Sequence, residues 1–371
     1  MTARHLLLPL LSACLLAPTV GCSSIGPGTV SRDRYDYSGS VGESWKRQAL
    51  LNVVKLRYLD PPTFVDVGQI VAGYSLETGL TGGATFPQTT AFGGNTPTVS
   101  GTARFTDRPT ITYTPMTGNR FIKALLMPLP PESVFFLIQA GWPADGVLFA
   151  SVASLNGLRN QSGSIAGVAP ADPDFVRVGE LLRRVQASGG VGMRIVQDDK
   201  KQQTTVLTFH TRGASEQTLA DVRELNRLLG VDPDAGELRL VYGAAARNRG
   251  ELAVQTRSVI QIMTALSSGV EVPAEHVAQG RAVPGVEPAA PAATAAAATT
   301  APADRLALVR VHSGKREPAD AYASIWYRGH WFWIDDADLR TKRNFAFLMM
   351  LFTLSDNGER ESLPLITIPA Q

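Results

Sequence analysis

Residues 321–354 read AYASIWYRGHWFWIDDADLRTKRNFAFLMMLFTL. Ala321 to Tyr327 and Trp331 to Ile334 are aromatic-rich runs, and Arg328-Gly329 between them supplies a turn, so the pair predicts an antiparallel hairpin. Asp335 or Asp336 then caps a helix that reaches Leu354. The apolar run Phe345 to Leu354 is about half as long as a membrane-spanning helix requires, so it predicts a buried core helix. That helix needs an apolar surface to lie on, and the hairpin before it is the nearest one in sequence.

Outward from this segment, strands and helices alternate without the even rhythm of a parallel βαβ chain. The expectation is therefore α+β: mixed antiparallel sheets with packed helices, in two or three subdomains. Residues 40–118 form a helix plus a β-rich region. Ser40-Val41-Gly42-Glu43 opens the helix with capping-box spacing, Trp45, Ala49, Val53 and Leu56 recur at helical spacing, and Asp60-Pro61-Pro62 stops it. Phe64 to Leu76 is strand-like, and Thr81 to Pro97 is a Gly/Thr-rich loop. Val99 to Phe105 alternates and turns at Asp107-Arg108-Pro109 towards Ile111 and Tyr113, a second hairpin.

Residues 119–272 read as an α+β region. Three short helices lie between Asn119 and Asn160, and a helix opens at Asp172-Pro173 and closes at Gly189-Gly190. Val191 to Val196 and Thr204 to His210 form a strand pair. A helix from Ser215 to Leu229, a strand at Leu238 to Tyr242 and a helix from Glu251 to Leu266 complete it. Residues 273–304 include the Ala/Pro/Thr run Ala289 to Ala303, which offers nothing to bury, and predict a disordered linker or insertion. Residues 305–371 form the C-terminal region, with strands at Leu306 to Val311 and Leu365 to Ile368 flanking the hairpin and helix.

The N-terminus has one basic residue, Arg4, then an apolar run from Leu6 to Val20, which predicts a signal peptide over residues 1–21. The cut region Thr19-Val20-Gly21-Cys22-Ser23-Ser24 resembles the lipobox of bacterial lipoproteins, with Thr19 where leucine is usual. Membership implies cleavage before Cys22 and acylation there, palmitate included, giving a lasting membrane anchor. Ser23 matches the pattern sent on to an outer membrane, leaving the chain on its periplasmic face. Leu11-Ser12-Ala13-Cys14 is an alternative box with an unusually short signal, and plain secretion is a third reading. The Gly/Ser-rich residues 22–39 predict a disordered, lipidated tether.

Removal of the signal takes Cys14 with it and leaves Cys22 alone, which excludes disulfides, cysteine nucleophiles and thiolate metal sites. The 371-residue chain has 35 basic and 33 acidic residues. That balance, with no basic stripe, argues against nucleic acid as a partner.

Candidate chemistry gathers in the C-terminal hairpin. Trp326, Tyr327, Trp331 and Trp333 can form an aromatic platform that stacks on sugar rings, with cell-wall glycan as ligand. The plainer reading covers both faces of the hairpin and puts at least one of Trp331 and Trp333 in the core. Asp335 and Asp336, with Asp338, can serve as acid–base groups or cation ligands, although carboxylates at a helix start are favoured by its exposed amides alone. His210, His276, His312 and His330 show no metal-ligand spacing. No Gly-x-Ser-x-Gly, Ser-x-x-Lys or phosphate-loop motif is present, so no catalytic residue, metal or cofactor is assigned.

Leu50-Leu51-Asn52-Val53-Val54-Lys55-Leu56-Arg57-Tyr58 running into Asp60-Pro61-Pro62 resembles a stretch in an uncharacterised family of exported Gram-negative envelope proteins. Trp331-Phe332-Trp333-Ile334-Asp335-Asp336 with Leu339, Lys342-Arg343 and Phe345 does so too. The resemblance implies an envelope protein and brings no activity with it. The resulting expectation is a lipid-anchored, non-enzymatic scaffold or binding protein with envelope proteins as partners. The alternatives are a glycan-binding module using Trp331 and Trp333, and a hydrolase with a scattered site.

Overall fold

The computed structural model describes residues 29–85, 96–164, 167–197, 203–210, 212–283 and 308–355. The expected signal peptide, the expected lipidation position Cys22, the run Ala289 to Ala303 and the expected strand Leu365 to Ile368 lie outside the described residues. The fold is α+β, with mixed and antiparallel sheets. Contacts divide it into two units, Met1–Trp45 with Phe64–Met116 and Lys46–Thr63 with Thr117–Gln371.

Helix α1 spans Val30–Arg57. It begins within the expected tether, which corrects that reading: residues 30–39 are helical despite Gly39, because glycine weakens a helix by only about 1 kcal/mol. Its last turns bury Ala49, Leu50, Val53 and Val54 in the second unit.

In the first unit, β1 (Phe64–Val71) pairs with β4 (Thr110–Met116), and β2 (Tyr74–Thr85) with β3 (Thr96–Asp107). The two pairs are one ribbon. Val71 faces Thr110, the Arg108 amide donates to the Gly73 carbonyl at 2.9 Å, and Tyr74 faces Asp107, all in one register. Asp107-Arg108-Pro109 is therefore mid-ribbon and not a turn, because the ladder passes through it. Thr81 to Thr85 and Thr96 to Pro97 are strand and not loop. The register shifts once, at Gly68, which has no cross-strand partner.

Because strands alternate faces, this register sorts the side chains. Ile70, Leu80, Val99, Ala103, Phe105 and Ile111 share one face, and Ser75, Glu77, Thr98, Thr102, Arg104 and Thr106 share the other. Leu80 is 81% exposed and Val99 74%. The mid-ribbon row of Tyr74 and Asp107 is braced by α1. Arg32 lies over the Tyr74 ring, 5.9 Å from its centre, and the Tyr74 and Asp33 side chains are hydrogen-bonded.

The second unit is built on a six-stranded sheet in the order β6-β5-β12-β11-β10-β9. Its strands are β5 (Val152–Leu155), β6 (Leu158–Arg159), β9 (Val191–Gln197), β10 (Gln203–Phe209), β11 (Glu237–Tyr242) and β12 (Glu251–Thr256). All neighbours are antiparallel except β11 and β12, which run parallel. The β7 (Ser162–Ser164) and β8 (Gly167–Ala169) strands form a short separate pair. Helices α2 (Gly118–Leu126), α3 (Pro131–Gln139) and α4 (Ala144–Ser151) are the three expected before Asn160. Helices α5 (Pro173–Ala187) and α6 (Glu216–Leu228) pack on each other, and α3 lies on β9, β11 and β12. Phe135, Ile138, Phe175, Leu181, Leu207 and Leu238 fill the core.

The expected helix from Glu251 to Leu266 is in fact β12 followed by α7 (Val259–Ser267). The break is at Ser258, whose hydroxyl accepts the Gln261 amide while the Gln261 side chain accepts the Ser258 amide. This reciprocal cap starts a helix and leaves Leu252-Ala253-Val254 to the sheet. Beside it, the Arg257 guanidinium donates to the carbonyls of Phe149, Ala150 and Gln161. Burial lowers its pKa to about 10.

The expected linker begins later than Pro273, since α8 (Ala274–Ala278) follows directly. Residues 308–311 do not form the expected strand. Val311 makes one parallel bridge, to Val270, and a Cβ at Gly269 would lie 1.9 Å from the Val309 carbonyl oxygen, so only glycine fits there. The C-terminal hairpin is as expected: β14 (Ala321–Tyr327) and β15 (His330–Asp335) turn at Arg328-Gly329, with β13 (His312–Gly314) on the other side of β15. Helix α9 spans Leu339–Ser355 and packs against α7.

Candidate functional site

In the hairpin, Trp326 faces Trp331, Ile325 faces Phe332 and Ser324 faces Trp333. This register puts the three tryptophans on one face. Trp326 is exposed, and Trp331 and Trp333 are half-buried. The opposite face carries Ala323, Ile325, Phe332 and Ile334, all buried. The expectation that Trp331 or Trp333 is core is therefore corrected, and Phe332 takes that place. The Phe345 ring of α9 meets Tyr322 of the hairpin edge to face at 6.3 Å. Trp326 and Trp331 meet edge to face at 5.6 Å. Trp333 lies over Gly314, where a Cβ would come within 3.2 Å of the indole, and its ring is 5.6 Å from His312. Together they make a partly exposed aromatic strip.

The acidic group at the helix start divides its work. Asp338, and not Asp335 or Asp336, caps α9: its carboxylate accepts the Thr341 amide at 3.0 Å and the Thr341 hydroxyl at 2.6 Å. Asp335 accepts the Ala337 amide at 2.8 Å, and Asp336 pairs with Lys342 at 2.6 Å. All three carboxylates thus have structural partners.

Tyr327, also in the expected site, belongs to a different cluster on the buried side of the hairpin. Its hydroxyl donates to Asp60 Oδ2, and Arg328 Nη2 donates to the same oxygen at 2.8 Å. These bonds, Tyr327 foremost, hold the Asp60 carboxyl below its usual range. Arg328 also lies over the Tyr58 ring at 5.3 Å. Tyr58 meets Tyr327 and Phe332 edge to face, and burial pushes its hydroxyl up to about 12. That hydroxyl lies 2.7 Å from His276 Nδ1. The His276 ring is 4.8 Å from the His330 ring, and burial lowers the His276 pKa. His330 Nε2 is 3.1 Å from Glu275 Oε1, which also receives Lys315 Nζ at 2.7 Å. The Lys315 bond holds the Glu275 carboxyl below its usual range. His330 Nδ1 is buried with no hydrogen-bond partner.

One ligand atom from each of Glu275, His276 and His330 lies within 4.8 Å of the others. Two imidazoles and a carboxylate are a donor set suited to a divalent transition ion, and the Tyr58 hydroxyl is placed to orient His276 from behind. Lys315 already satisfies Glu275, so an ion there would have to displace it. The sequence assigns no metal, and its histidines show no ligand spacing. The two histidines come from α8 and β15 and meet only through folding, so no spacing rule finds them. Glu271 and His312 form a second pair at 3.0 Å, and its hydrogen bond raises the His312 pKa.

No family model matches this chain, and no curated protein or solved structure resembles it significantly.

Proposed function

We propose that the chain is a lipid-anchored, non-enzymatic scaffold or binding protein of the bacterial cell envelope. It is held through Cys22, at the outer membrane on its periplasmic side, with envelope proteins as partners. The observation that carries this reading is the ribbon Phe64–Thr85/Thr96–Met116. A two-stranded ribbon is marginal by itself in water, and one that keeps Leu80, Val99 and Phe105 exposed offers surface for assembly. Photo-crosslinking groups placed at Leu80 and Thr102 in cells test it. Specific adducts with envelope components are expected. A chain that is neither lipidated nor crosslinked at either position overturns the reading.

A second reading is favoured by the aromatic strip. Trp326, Trp331 and Trp333 offer rings on one face, as a glycan platform requires. Retention on purified cell wall is the measurement. Loss of retention in Trp326→Ala, with unfolding unchanged, supports glycan binding; retention equal to the parent's excludes a role for that ring.

A further inference from the structure

We infer that ribbons from several copies of this chain join edge to edge into one closed β-barrel that crosses a lipid bilayer. The inference rests on the lipid-anchor reading above for its location and on the ribbon's own register for its form.

The ribbon beyond Tyr74 and Asp107 has two chemically different faces. Leu80, Val99, Ala103 and Phe105 lie on one, and among the described rows beyond Asp107 that face has no charged residue. The other carries Ser75, Glu77, Thr98, Ser100, Thr102 and Arg104. Its two charges are directly opposite each other, Glu77 against Arg104, and have opposite sign. Alternation of apolar and small polar residues, with the charges confined to the polar face, is the pattern of a strand between lipid and a water-filled lumen.

Length agrees. A membrane-crossing β-strand needs about 9–11 residues. Residues 75–85 and 96–106 supply that stretch on each strand, beginning just past the Tyr74–Asp107 row. Tyr74 and Phe105 stack at 5.9 Å at this end, where an aromatic belt belongs. Asp107, the first charge on the apolar face, sits on the same row and so at headgroup level.

Location agrees, given the lipid-anchor reading. Arg32 and Asp33 touch Tyr74, and Val30 starts their helix eight residues after Cys22. Eight residues reach at most about 29 Å. The lipid is thereby tethered near the row where the apolar face loses its charge.

Edges decide the occupant. β2 and β3 pair with each other, and no third strand joins them among the described residues. Open backbone edges are not tolerated in hydrocarbon, so an inserted ribbon must close on further strands. Copies of the same ribbon have matching length and matching faces. A wall of about 16 strands, wide enough for a water-filled lumen, takes roughly eight copies. Lipid then covers the apolar face, and the Glu77/Arg104 face lines the lumen.

The test uses the full mature chain, purified with its lipid and reconstituted into phosphatidylethanolamine/phosphatidylglycerol vesicles filled with calcein. Dye release and a multi-subunit band on an unheated detergent gel are expected. Leu80→Arg and Val99→Arg place charge on the lipid face and should cut release about tenfold or more. Both sites are exposed, so circular dichroism without lipid should not change. Thr102→Arg, on the opposite face, should keep release and, in planar bilayers of the same lipids under a salt gradient, shift the reversal potential towards anions. The inference is overturned if the parent stays monomeric and releases nothing, or forms an oligomer only without lipid. It is also overturned if Leu80→Arg and Thr102→Arg behave alike. Failure of the anchor reading looks different: the parent takes no palmitate label in cells, yet still releases dye after reconstitution.

Discussion

Arg328 Nη2 donates to Asp60 Oδ2 at 2.8 Å, joining the hairpin turn to the end of α1 across 268 positions. Arg328 has φ 47°, a left-handed conformation unusual for arginine. From there its guanidinium reaches both the Asp60 carboxylate and the Tyr58 ring.

Asp60→Asn should lower stability by about 1 kcal/mol, since charge-assisted bonds are the stronger kind and these partners are partly exposed. The effect depends on pH. The folded-state pKa of Asp60 is depressed, so its contribution is present above the ordinary carboxylate value of about 4 and is lost as pH falls through the lower folded value. Acid unfolding of parent and variant should converge below that point. Curves that stay parallel down to the acid limit would contradict the assignment.

Phe332→Ala should cost about 3–5 kcal/mol, as expected for a large ring removed from a core. Trp331→Ala and Trp333→Ala should cost less, about 1–2 kcal/mol each, because both rings are only partly buried whereas Phe332 is fully covered. Urea unfolding separates the two classes. Equal losses at all three positions would mean that the tryptophan face is covered.

His312→Gln should matter more in mild acid than in mild base. The Glu271 hydrogen bond raises the folded pKa of His312. Its contribution is therefore full below the unfolded value of about 6.5 and is lost as pH rises through the folded value. The difference in Tm between parent and variant should be larger near about pH 5.5 than near about pH 8.5. A difference that grows with pH would reverse the sign and remove Glu271 as the cause.

On the proposed lipid anchor, Cys22→Ser should abolish acylation and leave the precursor uncut, since Gly21-Cys22-Ser23 would be the cut context and the signal would carry away the other thiol. Metabolic labelling with a palmitate analogue decides it. Label that persists in Cys22→Ser and vanishes in Cys14→Ser would move the anchor to Cys14.

Legibility in the sequence follows the range of the forces. The β14–β15 hairpin, α5 and the β9–β10 pair are set by neighbours in sequence, and their turns and caps announce them. The β12–α7 break was also legible, in the Ser258/Gln261 cap, but the apolar run across it reads as one helix. The ribbon was half legible. Alternation showed its strands, whereas the partner of β3 depends on whether Gly73 or Pro109 ends the ladder, which local pattern does not settle. Within the candidate site, the Trp326, Trp331 and Trp333 face follows from period two. The meeting of Tyr58, His276 and His330 does not, because residues 218 positions apart share no periodicity.

The ribbon behaves like text in a reading frame, and Gly68 shows how the frame survives an odd letter. The ladder skips it, so Val65, Val67 and Ile70, opposite Pro115, Tyr113 and Ile111, keep one facing across the bulge. A one-residue insertion in β2 that stayed in the ladder would instead send Leu80 to the side of Glu77, since a shift of one position turns each side chain to the other side. Length in these strands can therefore drift over evolutionary time in even steps, in matched changes on both strands, or by a residue bulged out as Gly68 is. Related chains should differ between Gly68 and Asp107 in these ways or at the connecting segment.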